Sequence, residues 1–417
     1  MAQPASTTYS VGAGQTIYGG RPAPGQVTGL ITLEDSTPSG VIAANLSAVS
    51  GVITMDASTP AGTISAAFTP SWLVGAAVGQ WVSIPNTALA GSSAEIEGKG
   101  VAAVSAFNGM AYRQDTNEIY LLANGGHGDS SVNAVQSIAI NQDAPAWAIR
   151  TAASISGNRV STGAAGYNTD GLPRSRHTYS SSQWVSQRSR AMNFGARFMS
   201  TDASSAATVD GWNPAANTWD AAGTFGVIPG WAAGTCQDAA TGNVYTCGGY
   251  FYFYKWTQAT DTWTQSASGL EVYGPLMFDT SRQMVVSFSY GDNVGTGSTP
   301  KITTCNADLT NKRAITINAS AAYTSWLAAA PYTPALVYDA ADDRYLLYAG
   351  NAGATQTVYV ITPNSGATWD MSILSVSGVT PPASASGCNN KFQYVASLGG
   401  CVLLANGNAN IHFLRLR

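Results

Sequence analysis

The chain contains only three histidines, and one of them lies in a segment whose residue types could bind a ligand. His127 belongs to Asn124-Gly-Gly-His-Gly-Asp129, a glycine-dense stretch that follows a short apolar run. Glycines allow the backbone to approach a ligand closely, while the imidazole of His127 and the carboxylate of Asp129 provide polar contacts. The stretch lacks the Lys-(Ser/Thr) of a phosphate-binding loop. An ordinary glycine turn at a strand end, capped by His127, explains the same residues.

Arginines are concentrated in one part of the chain and give a second candidate site. Eight of the fourteen arginines fall between residues 113 and 197, and Asp170-Gly-Leu-Pro-Arg174-Ser-Arg176-His177 places two of them beside a histidine. Guanidinium groups bind carboxylates and phosphates through a planar fork of donors. An acidic glycan could therefore bind to this segment, with contacts from its two arginines, from Asp170 and from His177. Alternatively, the arginines pair with aspartates and backbone carbonyls and hold long loops in place.

Aromatic side chains form the third candidate site. The segment Tyr250-Phe-Tyr252-Phe-Tyr-Lys-Trp256 alternates along a predicted strand, so one set of its side chains belongs to the core and the other could be exposed. Trp231 lies outside the tryptophan pattern described below. Exposed aromatic rings stack on sugars, so Tyr252 and Trp231 are candidates for a lectin-like surface. Most other aromatic residues are expected to pack inside the protein.

The sequence predicts neither a metal site nor a cofactor. The five cysteines form no Cys-x-x-Cys pair and no Cys/His cluster of the kind that binds zinc. Buried free thiols are expected, with a Cys236–Cys247 disulfide across a hairpin as the alternative. The few glutamates lie in no recognisable catalytic context, so an enzyme is not predicted. Aspartates on separate strands could still form a carboxylate pair for glycoside cleavage.

The elements that must position these residues are short β-strands, because one pattern recurs along the chain. Each copy has an aromatic residue, a polar turn and a short apolar strand; residues 112–125 and 394–407 align without gaps and share the ending Leu-Leu-Ala-Asn-Gly. A turn followed by a tryptophan closes several copies, at Trp147, Trp219, Trp263 and Trp369. The six copies lie at residues 112–125, 179–195, 243–249, 278–286, 338–350 and 394–407.

Repeats of this length predict an all-β fold, a six-bladed β-propeller with four strands in each blade. A single blade cannot bury both of its faces, so blades pack against one another in a ring. A seventh blade remains open if residues 151–171 and 286–300 hold further strands. No tryptophan closes the 48 residues after Trp369. We therefore predict that Trp81 supplies the outer strand of the last blade, so that N- and C-terminal strands pair and no open edge is left.

These residues resemble the kelch, or galactose-oxidase-like, propeller family. The resemblance is carried by the Gly-Gly pairs at 125–126 and 248–249, the aromatic residue before each turn and the closing Thr-Trp, and residues 362–369 look like a degenerate sialidase Asp-box. It implies the fold and not an activity. The copper site of galactose oxidase needs a cysteine-crosslinked tyrosine, and no cysteine lies near His127 or His177. The arginine triad of sialidases with its Tyr and Glu is not matched either.

A different repeat precedes the propeller. Residues 28–43 match residues 50–65 at an offset of 22 residues, and each copy alternates apolar and small polar residues around a Ser-Thr-Pro-(Ser/Ala)-Gly turn. Each copy predicts a β-hairpin. Two such hairpins bury little surface on their own. We therefore predict that residues 1–70 form a hairpin region for anchoring and assembly, and that residues 71–417 form the propeller.

Composition narrows the class of function. Charged residues make up 10% of the chain, the net charge is −4 and the pI is about 5.3, which argues against a protein that coats nucleic acid or binds to membrane surfaces. No run of 18 apolar residues predicts membrane insertion, and residues 1–8 do not look like a Sec-type signal peptide.

The Ala/Ser/Thr/Gly-rich N-terminus with short repeats resembles that of phage structural proteins. That resemblance implies a virion protein, assembled in the host cytoplasm, that joins other virion proteins through residues 1–70 and displays the propeller for host recognition or decoration. A host cell-surface glycan and further copies of the chain are the expected partners. A kelch-like carbohydrate-binding protein or carbohydrate-active enzyme is the alternative.

Overall fold

A computed structural model describes the following residues of the chain: 43–44, 65–66, 69–94, 105–125, 130–160, 166–195, 197–198, 208–229, 234–248, 252–268, 274–289, 301–329, 333–350, 356–384 and 386–417. Contacts divide the chain into two compact units, Met1–Val74 and Gly75–Arg417. Among the described residues, no helix is long and apolar enough to cross a membrane.

The first unit contains one described strand pair. Strand β1 (Ala43–Ala44) runs parallel to β2 (Ser65–Ala66), with Ala43 opposite Ser65. The paired positions are 22 residues apart, which is also the offset between the two sequence repeats. A short 3-10 helix follows at Ser71–Leu73. The rest of the predicted hairpins falls outside the described residues, and the one pairing that is described here is parallel.

The second unit is a β-propeller of six four-stranded antiparallel blades. Its first strand is β3 (Gln80–Ser83). Blade 1 consists of β4 (Ala111–Arg113), β5 (Glu118–Leu122), β6 (Val135–Ala139) and β7 (Ala148–Thr151). After the short β8 (Arg176–His177), blade 2 consists of β9 (Ser182–Val185), β10 (Arg190–Phe194), β12 (Val209–Asn213) and β13 (Thr218–Trp219), while β11 (Arg197–Phe198) pairs with β8.

The remaining blades follow in chain order. Blade 3 consists of β14 (Gly234–Gln237), β15 (Val244–Gly248), β16 (Tyr252–Thr257) and β17 (Thr262–Gln265). Blade 4 consists of β18 (Leu276–Asp279), β19 (Met284–Ser289), β20 (Lys301–Asn306) and β21 (Arg313–Ile317). Helix α1 (Ala321–Ala329) leads to blade 5, with β22 (Ala335–Asp339), β23 (Arg344–Tyr348), β24 (Val358–Thr362) and β25 (Thr368–Ile373). The short β26 (Ser377–Gly378) precedes β27 (Phe392–Val395), β28 (Gly400–Leu403) and β29 (His412–Arg415).

Strand β3 completes blade 6 and closes the ring. It pairs antiparallel with β29, with Trp81 opposite Leu414 and Ser83 opposite His412. The first strands of neighbouring blades contact one another from β4 through β9, β14, β18 and β22 to β27. The predicted number of blades and the closure by the Trp81 strand are therefore confirmed. No seventh four-stranded sheet occurs among the described residues.

The predicted aromatic–turn–strand pattern is the first hairpin of each blade. In all six blades a residue with a left-handed backbone ends this turn: Asn117, Ser189, Gln283, Asp343 and Gly399 directly precede the second strand, and in blade 3 Gly242 lies two positions before it. Only two of the six are glycines, so a polar side chain tolerates this conformation in the other turns. In blade 2 the hairpin is β9–β10, so Tyr179, which the sequence pattern placed in a strand, lies instead in the preceding loop with φ +47°.

The core lies between the faces of neighbouring blades. Most tryptophans pack there; Trp81, Trp212, Trp256, Trp326 and Trp369 are fully buried. All five cysteines are free and buried. Cys236 lies opposite Tyr245 and Cys247 lies opposite Gly234, so the two thiols are not cross-strand partners. Burial raises the pKa of the Cys236 thiol, which fits the prediction of buried thiols that pack as small apolar groups.

Candidate functional site

The two ends of the ring differ in their connections. At the turn face, short turns join the first to the second strand of each blade, at residues 114–117, 186–189, 238–243, 280–283, 340–343 and 396–399. At the loop face, long connections join the fourth strand to the next blade, as at 152–181, and in every blade but blade 3 a long connection also joins the second to the third strand, as at 123–134. Loops on a rigid scaffold are where binding residues commonly lie. The loop face is therefore the candidate functional surface.

The turn face uses its polar side chains to fasten blades together. Every pair of neighbouring blades shares at least one contact there. These contacts are the Arg113 guanidinium 4.6 Å above the Trp184 ring, Arg188 with Asp261 at 2.8 Å, the Tyr245 hydroxyl with the Ala307 carbonyl at 2.9 Å, Arg282 with Asp343 at 2.6 Å, Arg417 with Asp339 at 2.6 Å, and the Ser397 hydroxyl with Asn117 Oδ1 at 2.7 Å. These contacts give seven charged side chains at this end a structural role.

At the loop face, hydrogen bonds join the segments that lead into the first strands of blades 6, 1, 2 and 3. The Tyr179 N–H donates to the Phe107 carbonyl at 2.9 Å, and the Thr235 N–H donates to the Ser180 carbonyl at 2.8 Å. Asn390 joins three blades: its Nδ2 donates to the carbonyls of Met110 and Ser182, and its Oδ1 accepts from the Met110 N–H. The floor of the loop face is thus held in part by a network of buried hydrogen bonds that links several blades.

The segment with the predicted arginines crosses this floor between blades 1 and 2. The Arg176 N–H donates to the Ala123 carbonyl at 3.0 Å, and the Ser175 hydroxyl donates to the Ser130 carbonyl at 2.5 Å. Gly125 lies so close to this segment that a Cβ there would come within 2.2 Å of the Ser175 hydroxyl. The glycine of the Asn124-Gly-Gly stretch therefore serves a close backbone approach within the protein.

Arg176 is a buried cation with a buried partner. Its Nη2 lies 2.9 Å from the Asp210 carboxylate, with side-chain exposures of 0% and 4%. Its Nε and Nη1 donate to the carbonyls of Arg174 and Gly195, each at 3.3 Å. Asp210 also accepts from the Thr208 hydroxyl, and together with burial it raises the pKa of the nearby Tyr167 to about 12. The geometry of Arg176 fits the structural alternative, in which the arginine holds long loops.

The other predicted residues of this segment separate into buried and exposed groups. Arg174 is 1% exposed and His177 is 3% exposed. The His177 ring packs between the rings of Phe107 and Tyr179, with centroids 4.9 and 5.7 Å away. Asp170 is exposed and caps its own turn, accepting from the Leu172 N–H at 3.2 Å. Of the four candidates in this segment, only Asp170 is accessible at the loop face.

The aromatic candidate is half-buried. Tyr252 begins β16 and lies 6.0 Å from the Tyr254 ring, whereas Phe253, Tyr254 and Trp256 are buried. Because Phe253 and Tyr254 are consecutive and both buried, burial does not alternate along this strand as the sequence predicted, and Tyr252 lies at the loop-face end of the strand. His127, Asp129 and Trp231 lie outside the described residues. Among the described residues, no group of three or more His, Cys, Asp or Glu side chains could hold a metal ion.

Lys391 is a buried amine that sequence analysis missed. Only 1% of it is exposed, and its Nζ donates to the Ser105 carbonyl at 2.8 Å and to the Ser384 hydroxyl at 3.2 Å. It therefore joins the segments that lead into blades 1 and 6. No carboxylate of the described residues forms an ion pair with it. Burial lowers its pKa to about 8, and the neighbouring Cys388 thiol, whose own pKa burial raises to about 12, opposes that shift.

We expect Lys391→Met to change how stability depends on pH. Between pH 8 and 10.5 the unfolded lysine stays protonated while the folded one loses its proton, so the wild-type free energy of unfolding gains up to ~3 kcal/mol from this group as pH rises. The buried thiols act in the opposite direction, because they ionise first in the unfolded chain. The measurement is therefore the difference between wild-type and variant urea unfolding at pH 7 to 10.5. The prediction would be contradicted if the free energy of unfolding changed with pH by the same amount in the wild type and in the variant.

Comparisons with known proteins leave the family open. No protein-family model matches this chain, and no curated protein matches it in sequence. Among solved structures, a chain in the crystal structure of the mitotic checkpoint complex is similar at a TM-score of 0.41 and 10% identity, covering 87% of this chain and 99% of that one.

Proposed function

We propose that this protein is a phage virion protein that recognises host-surface glycans with the loop face of a kelch-like propeller. The observation that supports the loop face as the recognition surface is a structural difference between the two ends of the ring. Polar side chains fasten neighbouring blades together at the turn face, whereas the long connections of all six blades leave from the loop face. The anchoring role assigned to residues 1–70 rests on their short repeats and composition.

Glycan binding is tested with full-length protein on an array of bacterial surface polysaccharides. Two exposed aliphatic residues of the loop-face connections, Ile155 and Val227, are replaced together by arginine; they are 70% and 62% exposed. Ala341→Arg, at an exposed position in a turn-face turn, is the matched control. We expect the loop-face variant to lose at least tenfold in affinity and the control to stay within twofold, because only the first surface contacts ligand.

Equal binding by both variants would contradict the choice of surface. No binding to any polysaccharide would contradict glycan recognition.

The virion role has a separate test. Immunogold electron microscopy with an antibody against the propeller should label particles from the source, and a chain without residues 1–70 should be absent from them. Unlabelled particles would contradict the virion role and favour the alternative of a free carbohydrate-binding protein or enzyme.

A further inference from the structure

The outer edges of the blades differ in how they are protected. An unpaired outer strand exposes backbone donors and acceptors to which another strand can add. Blades 4 and 5 protect each other, because β21 pairs in parallel with β25. The edge of blade 6 is covered in the same way by β26, which pairs in parallel with β3. On this side of the ring, extended segments of the chain itself cover the outer strands.

Blades 1 and 2 carry other protective features. In blade 1, the pairing of β6 with β7 shifts register between Val135 and Gln136, and β7 contains Arg150. A bulge and a charge both disfavour the addition of a further strand. In blade 2, the outer strand β13 is only two residues long and is followed by Asp220, which pairs with Arg190.

The outer strand of blade 3 is longer than β13 and has no register shift, and its one neighbouring charge is Asp261, which precedes the strand and pairs with Arg188. Strand β17 has the sequence Thr262-Trp263-Thr264-Gln265, pairs with β16 in an unbroken register and contains no charged residue. Among the described residues, no strand pairs with its other edge. Thr262, Thr264 and Gln265 are exposed, and Trp263 is half-buried opposite Trp256. Of the six outer strands that the structure describes, β17 is the one that combines an unpaired edge, four residues in an unbroken register and no charged residue within the strand.

We propose that β17 is a self-association surface, at which a second copy of this chain adds its own β17 in antiparallel orientation. The sequence favours this occupant, because Thr262-Trp263-Thr264 reads the same in both directions. Antiparallel pairing about a two-fold axis at Trp263 places each Thr262 opposite the Thr264 of the other copy and the two tryptophans opposite each other. Thr–Thr and aromatic pairs stabilise such cross-strand contacts, and no like charges meet on the axis.

The short edge also sets the strength of the association. Four residues from each chain bury far less surface than a standard stable interface, so a dimer of modest affinity is expected. Within a particle, several copies held close together would raise the effective concentration and favour the contact. The surface does not depend on the proposed function, since it lies on the rim of the ring and not on the loop face.

A directed cross-link gives the sharpest test. Full-length Thr262→Cys and Thr264→Cys are prepared separately, mixed, oxidised and run on a non-reducing gel; the five native thiols are buried. In the proposed register residue 262 faces residue 264, so the mixture should give a covalent dimer and each variant alone should stay monomeric. Equal cross-linking by either variant alone, or none in the mixture, would overturn the register.

Sedimentation of full-length protein over a range of concentrations tests the association itself. The double variant Thr262→Lys/Thr264→Lys places lysines opposite lysines and should weaken the two-fold step at least tenfold while circular dichroism stays unchanged. Ser372→Lys, an equally exposed position on the covered outer strand β25, is the control and should leave the association intact. An association that the double variant leaves unchanged, or a monomer at every concentration, would overturn the proposal.

Discussion

A chain that lacks residues 1–83 will not form a stable propeller, whereas a chain that lacks only residues 1–70 will. The difference lies in β3, the outer strand of blade 6, which lies far from its partners in sequence. Its removal leaves β29 as an open edge. It also removes Trp81, which is fully buried and packs 5.8 Å from the Tyr348 ring and 6.2 Å from the Phe392 ring, across the seam between blades 5 and 6.

The measurement compares both truncations with the full chain by circular dichroism, size exclusion and urea unfolding. Trp81→Ala in the full chain is a milder change than the truncation, because it keeps the backbone pairing of β3 and removes only the side chain. We expect it to lower the free energy of unfolding by about 3–5 kcal/mol, the usual cost of emptying a buried tryptophan site. If the chain without residues 1–83 unfolds like the full chain, the ring does not depend on β3 for closure.

Replacing Asp210 by asparagine should be the most damaging single change at the floor of the loop face. The substitution removes the charge that faces the Arg176 guanidinium at 2.9 Å and leaves a fully buried cation without its counter-charge. Breaking a buried ion pair from one side typically costs about 3–5 kcal/mol. We expect a loss of that size in the free energy of unfolding at pH 7.

Two further variants separate the buried pair from a general effect of lost charge. Asp261→Asn breaks the partly exposed Arg188–Asp261 pair at the turn face and should cost less than ~1 kcal/mol. Arg176→Met combined with Asp210→Leu removes both buried charges together and should recover most of the stability that Asp210→Asn loses. Equal effects of Asp210→Asn and Asp261→Asn would show that the buried pair has no special role.

The repeats in the sequence are sufficient to determine the fold. An aromatic residue, a polar turn and an apolar strand recur because each blade begins with the same structure, a tight hairpin that is buried against the neighbouring blades. The turn ends in a left-handed residue, and in all six blades such a residue lies one or two positions before the second strand. No tryptophan closes the last copy of the repeat near the C-terminus, and an incomplete last blade would leave an open edge. The sequence therefore predicted that the strand with Trp81 completes that blade, and the structure pairs it with β29.

The candidate site was predictable only in part. Residue types in the 170–177 segment marked a place where loops meet, but they did not show whether Arg176 points to solvent or to a carboxylate. The tertiary structure pairs it with Asp210, and it places Lys391 and Asn390 at the same floor. No local pattern marks those three partners. Whether the loop face binds a glycan, and whether the chain belongs to a virion, stay predictions.

The physical reason for this division is the range of the interactions involved. Strand periodicity and turn chemistry act between residues a few positions apart, so the sequence alone predicted a propeller closed by the Trp81 strand, with six blades counted and a seventh left open. Side-chain pairing at the loop face joins residues far apart along the chain, such as Asn390 and Met110, which are separated by 280 positions. Only closure of the ring brings such residues together. The tertiary structure alone therefore decided which polar groups hold the loops and which remain exposed to solvent.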